Sequence, residues 1–436
     1  MPDQRDQKRI AYPHHLLLTQ ALLIFLTGQE SRHQAKTVFK RSVVAHNLLQ
    51  GLLGGVSCRG ATVPKLACGQ TVHNALVALP AQHLRGIIPK LIKPLIEDRA
   101  FDRFRFDHNH DFFQLAIDAS EILSSDSPHC DCCLVDKRED DSIKRYYHRV
   151  VVACIVAPGN IRIPIAWEPV ANNAKGEYVK QDCELEAALR LLKSLHKLWP
   201  RQRFVILGDA LYACDRVLSL CRQYDWNCLI TLKEGRMPAI WKTAEAKRSR
   251  HPENSLHDVD EEGRKCRYSW CLDIPQKDRK INTVWLDRSE PDGKLTRFAW
   301  MTLFTPTANN IKTLINEGAR CRQNLEDLFN SLKHRGFSLE HDFGSDGHAL
   351  DNAVSLRIIA FLILQMTGWS TTTDHLVKQA QSRPPRYQRL RSTLSAFGSL
   401  KCLIDAFCRV FMTLRFDCDR FSAIDTSSWR YAMDSA

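Results

Sequence analysis

Two aspartates close apolar runs that lie far apart in the chain. Asp118 follows Phe112-Phe113-Gln114-Leu115-Ala116-Ile117, and Asp209 follows Phe204-Val205-Ile206-Leu207-Gly208. Each reads as an acid at the mouth of a buried strand. A third acid, Glu326, stands in the helical stretch 322–333. Two strand-end carboxylates and a third on a helix packed beside them are the parts that metal-assisted phosphoryl transfer requires. In such sites two divalent ions about 3.5–4 Å apart clamp the attacking and leaving oxygens of a phosphodiester. Mg²⁺ takes hard oxygen ligands and is the expected ion, with Mn²⁺ able to substitute. Any one of the acids alone reads as a strand cap or a solvated helix residue. Together, on a basic chain, they read as a catalytic set.

The helix around Glu326 adds cations. Arg322 precedes Glu326 by one turn and shares its face. Lys333 falls near that face too, because eleven residues make roughly three turns. Arg grips a phosphate bidentately and Lys acts as a point charge, so both suit a nucleic-acid backbone. The alternative is a surface Arg–Glu pair worth a few tenths of a kcal/mol. Neighbouring acids are weaker candidates: Asp327 points about 100° away from Glu326, Glu317 is out of step, and Asp215 reads as a helix cap. Glu184 opens another helix; it is either a fourth acid of the site or a residue favoured by the helix dipole, and the dipole is the preferred reading. His341, beyond the Glu326 helix, reads as a packing residue, with orienting a phosphate or water as the alternative.

A second constellation is His129-Cys130-Asp131-Cys132-Cys133. Cys130 and Cys133 have the C-x2-C spacing of a zinc knuckle. A closed tetrahedral Zn²⁺ site needs two more ligands, and no second C-x2-C exists. His148 and Cys183 are the candidate partners; the alternative is a reduced, metal-free loop. The 16 cysteines are otherwise scattered, a pattern of reduced thiols in a cytoplasm.

These residues must be positioned by more than one core, since 436 residues exceed an ordinary single domain. The 61 Lys+Arg against 49 Asp+Glu give a net charge of +12, which favours a polyanionic partner, nucleic acid first and an anionic membrane surface second. The apolar runs 16–26 and 358–366 are too short to span a bilayer and read as core helices. No small-residue cleavage site follows the first, so no signal peptide is expected. Residues 1–105 read as a helical N-terminal domain dotted with basic residues, without a clear helix-turn-helix. Strand patterns follow at 112–117, 146–156 and 161–170, with a hairpin turn at Pro158-Gly159-Asn160. An amphipathic helix at 182–198 precedes the strand ending at Asp209, then come a helix at 215–224 and a strand at 226–232. That order describes a mixed α/β sheet of the ribonuclease H type, built from residues 106–233 and 302–370. Residues 234–301 read as a β-rich insertion whose Trp241, Trp270, Trp285 and Trp300 sit at core spacing, with base stacking as the alternative. Residues 371–436 read as a basic linker, 383–391, followed by a C-terminal helical region with a helix at 392–414.

The spacing Arg322-x3-Glu326-x6-Lys333, followed by Gly336 and Leu339-Glu340-His341, resembles the signature of bacterial insertion-sequence transposases of the DDE superfamily. The subgroup is the one with a Tyr-x2-Arg-x3-Glu-x6-Lys signature and a β-rich insertion. Ala116-Ile117-Asp118-Ala119-Ser120 and Ile206-Leu207-Gly208-Asp209-Ala210-Leu211-Tyr212 resemble its first- and second-acid strands. The likeness spans roughly residues 105–370. It departs at position 319, where the signature tyrosine is replaced by Ala319. The resemblance implies cut-and-paste DNA transposition with Mg²⁺ held by Asp118, Asp209 and Glu326, and DNA contacted by Arg322 and Lys333. It also implies transposon ends and target DNA as partners, a homodimer in the synaptic complex, and a cytoplasmic, nucleoid-associated location. The alternatives are a nuclease of the same fold without strand transfer and a catalytically silent DNA-binding derivative.

Overall fold

Residues 112–117 put apolar side chains on both faces of a strand, Gln114 apart, and such a strand must be covered on both sides. The computed structural model describes residues 10–29, 31–52, 66–106, 111–128, 130–172, 182–290, 292–368 and 411–412. The basic segment 383–391, His129 and all of the predicted helix 392–414 except residues 411–412 lie outside them.

Among the described residues the chain is α/β, with a mixed, largely antiparallel sheet of ten strands. They are β1 (Phe112–Ser125), β2 (Leu134–Lys137), β3 (Ile143–Ala157), β4 (Ile161–Val170), β5 (Arg203–Gly208), β6 (Asn227–Thr231), β7 (Ser255–Val259), β8 (Lys265–Gln276), β9 (Arg279–Ser289) and β10 (Leu295–Thr302). β1 lies between β3, antiparallel, and β5, parallel. β3 turns into β4 through Gly159 and Asn160, both in the left-handed region at φ +77° and +63°. β2 pairs with the other half of β3. The parallel neighbours β1, β5 and β6 need crossovers. Helix α7 (Glu184–Leu198) precedes β5, and α8 (Asp215–Gln223) separates it from β6, with the lower-numbered helices lying ahead of β1 in the chain.

Residues 255–302 extend this same sheet. β10 pairs with β6 from Trp300↔Thr231 to Thr302↔Leu229, and β9, β8 and β7 follow outward. The charged stretch before them forms a helix that the sequence pattern did not reveal, α9 (Pro238–Arg250). It packs on β8 through Ile240 and Ala244. Its buried Arg248 pairs with Asp287 and donates to Ser269.

The helical stretch that carries Glu326 is not continuous with the residues before it. Residues 313–318 form a π turn and 319–322 a 3₁₀ turn, before the regular helix α10 (Gln323–His334). Gly318 sits at the join because a Cβ there would meet Leu229 Cδ1 at 2.6 Å and Phe106 Cζ at 3.2 Å.

The N-terminal helices are α1 (His14–Leu26), α2 (Arg32–Phe39), α3 (Ser42–His46), α4 (Gly69–Ala78), α5 (Ala81–Arg85) and α6 (Ile87–Glu97). Helices α1, α4, α5 and α6 pack against α11 (Ala349–Gly368). Asn352 of α11 donates to the carbonyls of Leu76 and Leu79 at 2.8 and 2.6 Å. Its Ser355 accepts from Trp167 Nε1 of β4 at 3.2 Å, joining helices and sheet in one apolar core. By length and composition α11 could cross a membrane, but 78% of its apolar window is buried within the protein, as suits a core helix.

Candidate active site

The register of β1 on β5 runs from Phe112↔Arg203 to Ala116↔Leu207. Two more residues along each strand set Asp118 beside Asp209. β5 ends there, whereas β1 continues to Ser125 on β3 alone. Asp118 therefore lies mid-strand, correcting the expectation of a strand end; what ends at that point is the parallel pairing.

Each aspartate is held by its local backbone. Asp118 Oδ1 accepts from the Ala119 amide at 2.9 Å, and Asp209 Oδ1 accepts from the Leu211 amide at 2.8 Å, capping the short turn 210–212. Glu326, in the first turn of α10, is tied in by Arg322. That guanidinium donates to Asp118 Oδ2 at 2.9 Å and to Glu326 Oε1 at 2.6 Å. The Glu326 side chain stays 50% exposed, against 22% for Asp118, so the third acid is the one open to solvent.

Glu184 stands at the N-terminus of α7, as the dipole reading required, and it also faces the aspartates. Its Oε1 accepts from the Tyr212 hydroxyl at 2.9 Å and its Oε2 from Arg149 Nη1 at 3.3 Å. Burial pushes the Asp118 carboxyl up to about 6. The Ala119 amide and Arg322 oppose that rise, while Asp209 and Glu184 add to it. Burial raises Glu184 as well, with Tyr212 and Arg149 opposing and Asp209 adding. Tyr212, buried beside Glu184, Asp118 and Asp209, is raised well above the usual phenol range.

Tyr212 and Arg149 had no role in the sequence reading. The available signals were a tyrosine three residues past Asp209 and a cation at the head of the apolar run 150–157.

The other candidates fall elsewhere. Lys333, near the end of α10, pairs with Glu340 Oε1 at 2.6 Å. Asp327 is exposed and turns its charge toward Arg162. Asp215 makes no side-chain cap; bonds from Lys277 and Gln276 hold its carboxyl below the usual range and tie α8 to the end of β8. His341 is exposed, its ring edge-on to Phe343 at 5.9 Å. Trp285 is fully buried, Trp270 and Trp300 nearly so, and Trp241 packs on Trp285 at 4.9 Å.

Arg322 also lines a cavity of about 550 Å³ whose wall carries four further cations, Lys233, Arg288, Arg297 and Arg320. Phe298 and Trp300 form its apolar side, their rings stacked 6.0 Å apart.

Farther along β1, Cys130, Cys133 and His148 converge, and the Cys130 thiol is pushed up by its bond to Cys133 and by burial. Cys183, the other candidate ligand, is exposed at the start of α7 and stands outside this group. No protein-family model matches the chain, and neither does any curated protein.

Proposed function

We propose that the chain is a DNA transposase of the DDE type, built on a ribonuclease H-like sheet, that cleaves transposon ends and joins them to target DNA. The strand order β4-β3-β1-β5-β6, antiparallel for the first three and parallel thereafter, supports that fold reading. The observation that carries the functional reading is the bridging of Asp118 and Glu326 by one guanidinium, with Asp209 at the end of the strand paired beside Asp118, three acids from three remote segments. The donors fit Mg²⁺, since they are hard carboxylate oxygens without sulfur or imidazole. Asp118, Asp209 and Glu326 would hold the ions, with Glu184 as an additional acid beside them. Divalent ions bound there supply an activated nucleophile and neutralise charge on a phosphodiester in displacement.

The remaining work falls to the chain's own groups. Arg149 and Tyr212 fix the orientation of Glu184. Arg322 is placed to exchange its carboxylates for a phosphate, which it grips with the same two N–H groups. Arg320 and Lys233 extend the cationic wall along the cavity, where a nucleic-acid backbone would run. DNA ends, target DNA and a second copy of the chain are the partners this reading implies.

The test uses the full chain and a duplex carrying the DNA that flanks its coding sequence, with Mg²⁺. Asp209→Asn is expected to abolish cleavage and leave end binding within about twofold, because it removes a charge without changing shape. Equal loss of binding and cleavage would contradict the assignment. Cleavage without joined products would point to a nuclease of the same fold.

A further inference from the structure

The three-membered group at Cys130, Cys133 and His148 has the dimensions of a metal site. The two Sγ atoms are 3.9 Å apart, and His148 Nε2 lies 3.5 Å from Cys130 Sγ and 3.2 Å from Cys133 Sγ. A tetrahedral ion with bonds of about 2.3 Å to sulfur and 2.0–2.1 Å to nitrogen requires roughly 3.8 Å between sulfurs and 3.6 Å from sulfur to nitrogen. The three separations match within a few tenths of an ångström. They do not match a disulfide, whose sulfurs stand about 2.05 Å apart. The loop is wound as a knuckle: the Cys133 amide donates to the Cys130 carbonyl at 3.3 Å, and the Cys132 amide to Cys130 Sγ at 3.4 Å.

We propose that Cys130, Cys133 and His148 bind one Zn²⁺, which staples the loop between β1 and β2 to β3. Two sulfurs and an imidazole select zinc over the hard ions that carboxylates take. The fourth position belongs to a ligand outside these three. The fold gives the staple a purpose. β2 has four residues, at the short end of the usual strand range, and pairs with β3 through Leu134↔Tyr147 to Lys137↔Ile143, so a staple to His148 would add to a brief pairing. His148 pairs with Leu123, five residues up β1 from Asp118, or roughly 16 Å at strand rise. The soft site is therefore separate from the carboxylates and stands whether or not the transposase reading does.

The experiment strips the full-length protein with chelator and titrates it with Co²⁺. Thiolate-bound Co²⁺ gives a near-ultraviolet charge-transfer band to which carboxylate-bound Co²⁺ is blind. The expected result is a band saturating at one equivalent per chain, displaced by Zn²⁺, lost in Cys130→Ser and retained in Cys183→Ser. Absence of the band in the wild type, persistence in Cys130→Ser, or loss in Cys183→Ser would overturn the proposal. Thermal unfolding gives a second reading that needs no variant to fold perfectly. Zn²⁺ is expected to raise the Tm of the stripped wild type, and an unchanged Tm counts against the staple.

Discussion

Arg322 fills the space between Asp118 and Glu326 that a divalent cation would contest. A charge-assisted hydrogen bond is worth roughly 1.5–3 kcal/mol, so Arg322→Gln should tighten Mn²⁺ binding by ~10-fold, while DNA cleavage falls because the phosphate loses its grip. Mn²⁺ titration followed by electron paramagnetic resonance reads the first effect, and unchanged affinity would mean that the guanidinium does not compete. Asp118 makes a second prediction. Its carboxyl is raised from 3.8 to about 6 by burial and by its acidic neighbours. The folded state thus holds the proton more tightly than the unfolded chain, and this group's stabilising share is complete below about pH 4 and lost as pH rises through about 6. At pH 7, without metal, Asp118→Asn should be the more stable protein by on the order of 1–3 kcal/mol, and the gap should close toward pH 4; denaturant melts at both pH values check it. Asp118, Asp209 and Glu326 were legible because each is announced locally, by an apolar run or by helical spacing. The Arg149–Glu184–Tyr212 contacts were not, because they exist only once β3, α7 and the end of β5 are side by side.

The turn that follows β5 shows how closely the elements constrain the site. The Tyr212 ring folds back over Gly208, where a Cβ would meet ring and side-chain atoms at 2.9–3.1 Å. Gly208→Ala should cost roughly 1–3 kcal/mol of stability by overpacking. It should also shift Tyr212 from Glu184, which an altered tyrosine ultraviolet titration would report; a silent Gly208→Ala would mean the ring has room to spare. Most strands were readable from apolar runs. Helix α9 was not, because the cations Lys247, Arg248 and Arg250 disguise it as surface, and its buried Arg248 is neutralised by Asp287 from a strand the sequence does not bring near. The turns at 313–322 leave no periodic signature for a different reason. Helical periodicity assumes about 3.6 residues per turn, whereas a wide turn and then a tight one carry the chain past Leu229 and Phe106 at Gly318.

Across the whole molecule, the helices at the start of the chain and α11 near its end share one core with the sheet. Arg357 shows how closed that core is. Its guanidinium, fully buried, donates to the carbonyls of Phe337 and His341 at 2.9 Å and lies over the rings of Phe25 and Phe343; burial lowers it to about 9. The helical character of residues 1–105 and of the run 358–366 was legible, but not that these helices enclose one another, since contacts between residues some 270 positions apart leave no local trace. A consequence reaches the bench. A fragment starting at residue 106 keeps Asp118, Glu184, Asp209 and Glu326 but strips α11 of the sleeve contributed by α1, α4, α5 and α6. The greasy rod left behind will seek another oily phase, so the fragment should partition into detergent micelles on phase separation while the intact chain stays in the aqueous layer. Matching partition of the two would mean that α11 finds shelter without that sleeve.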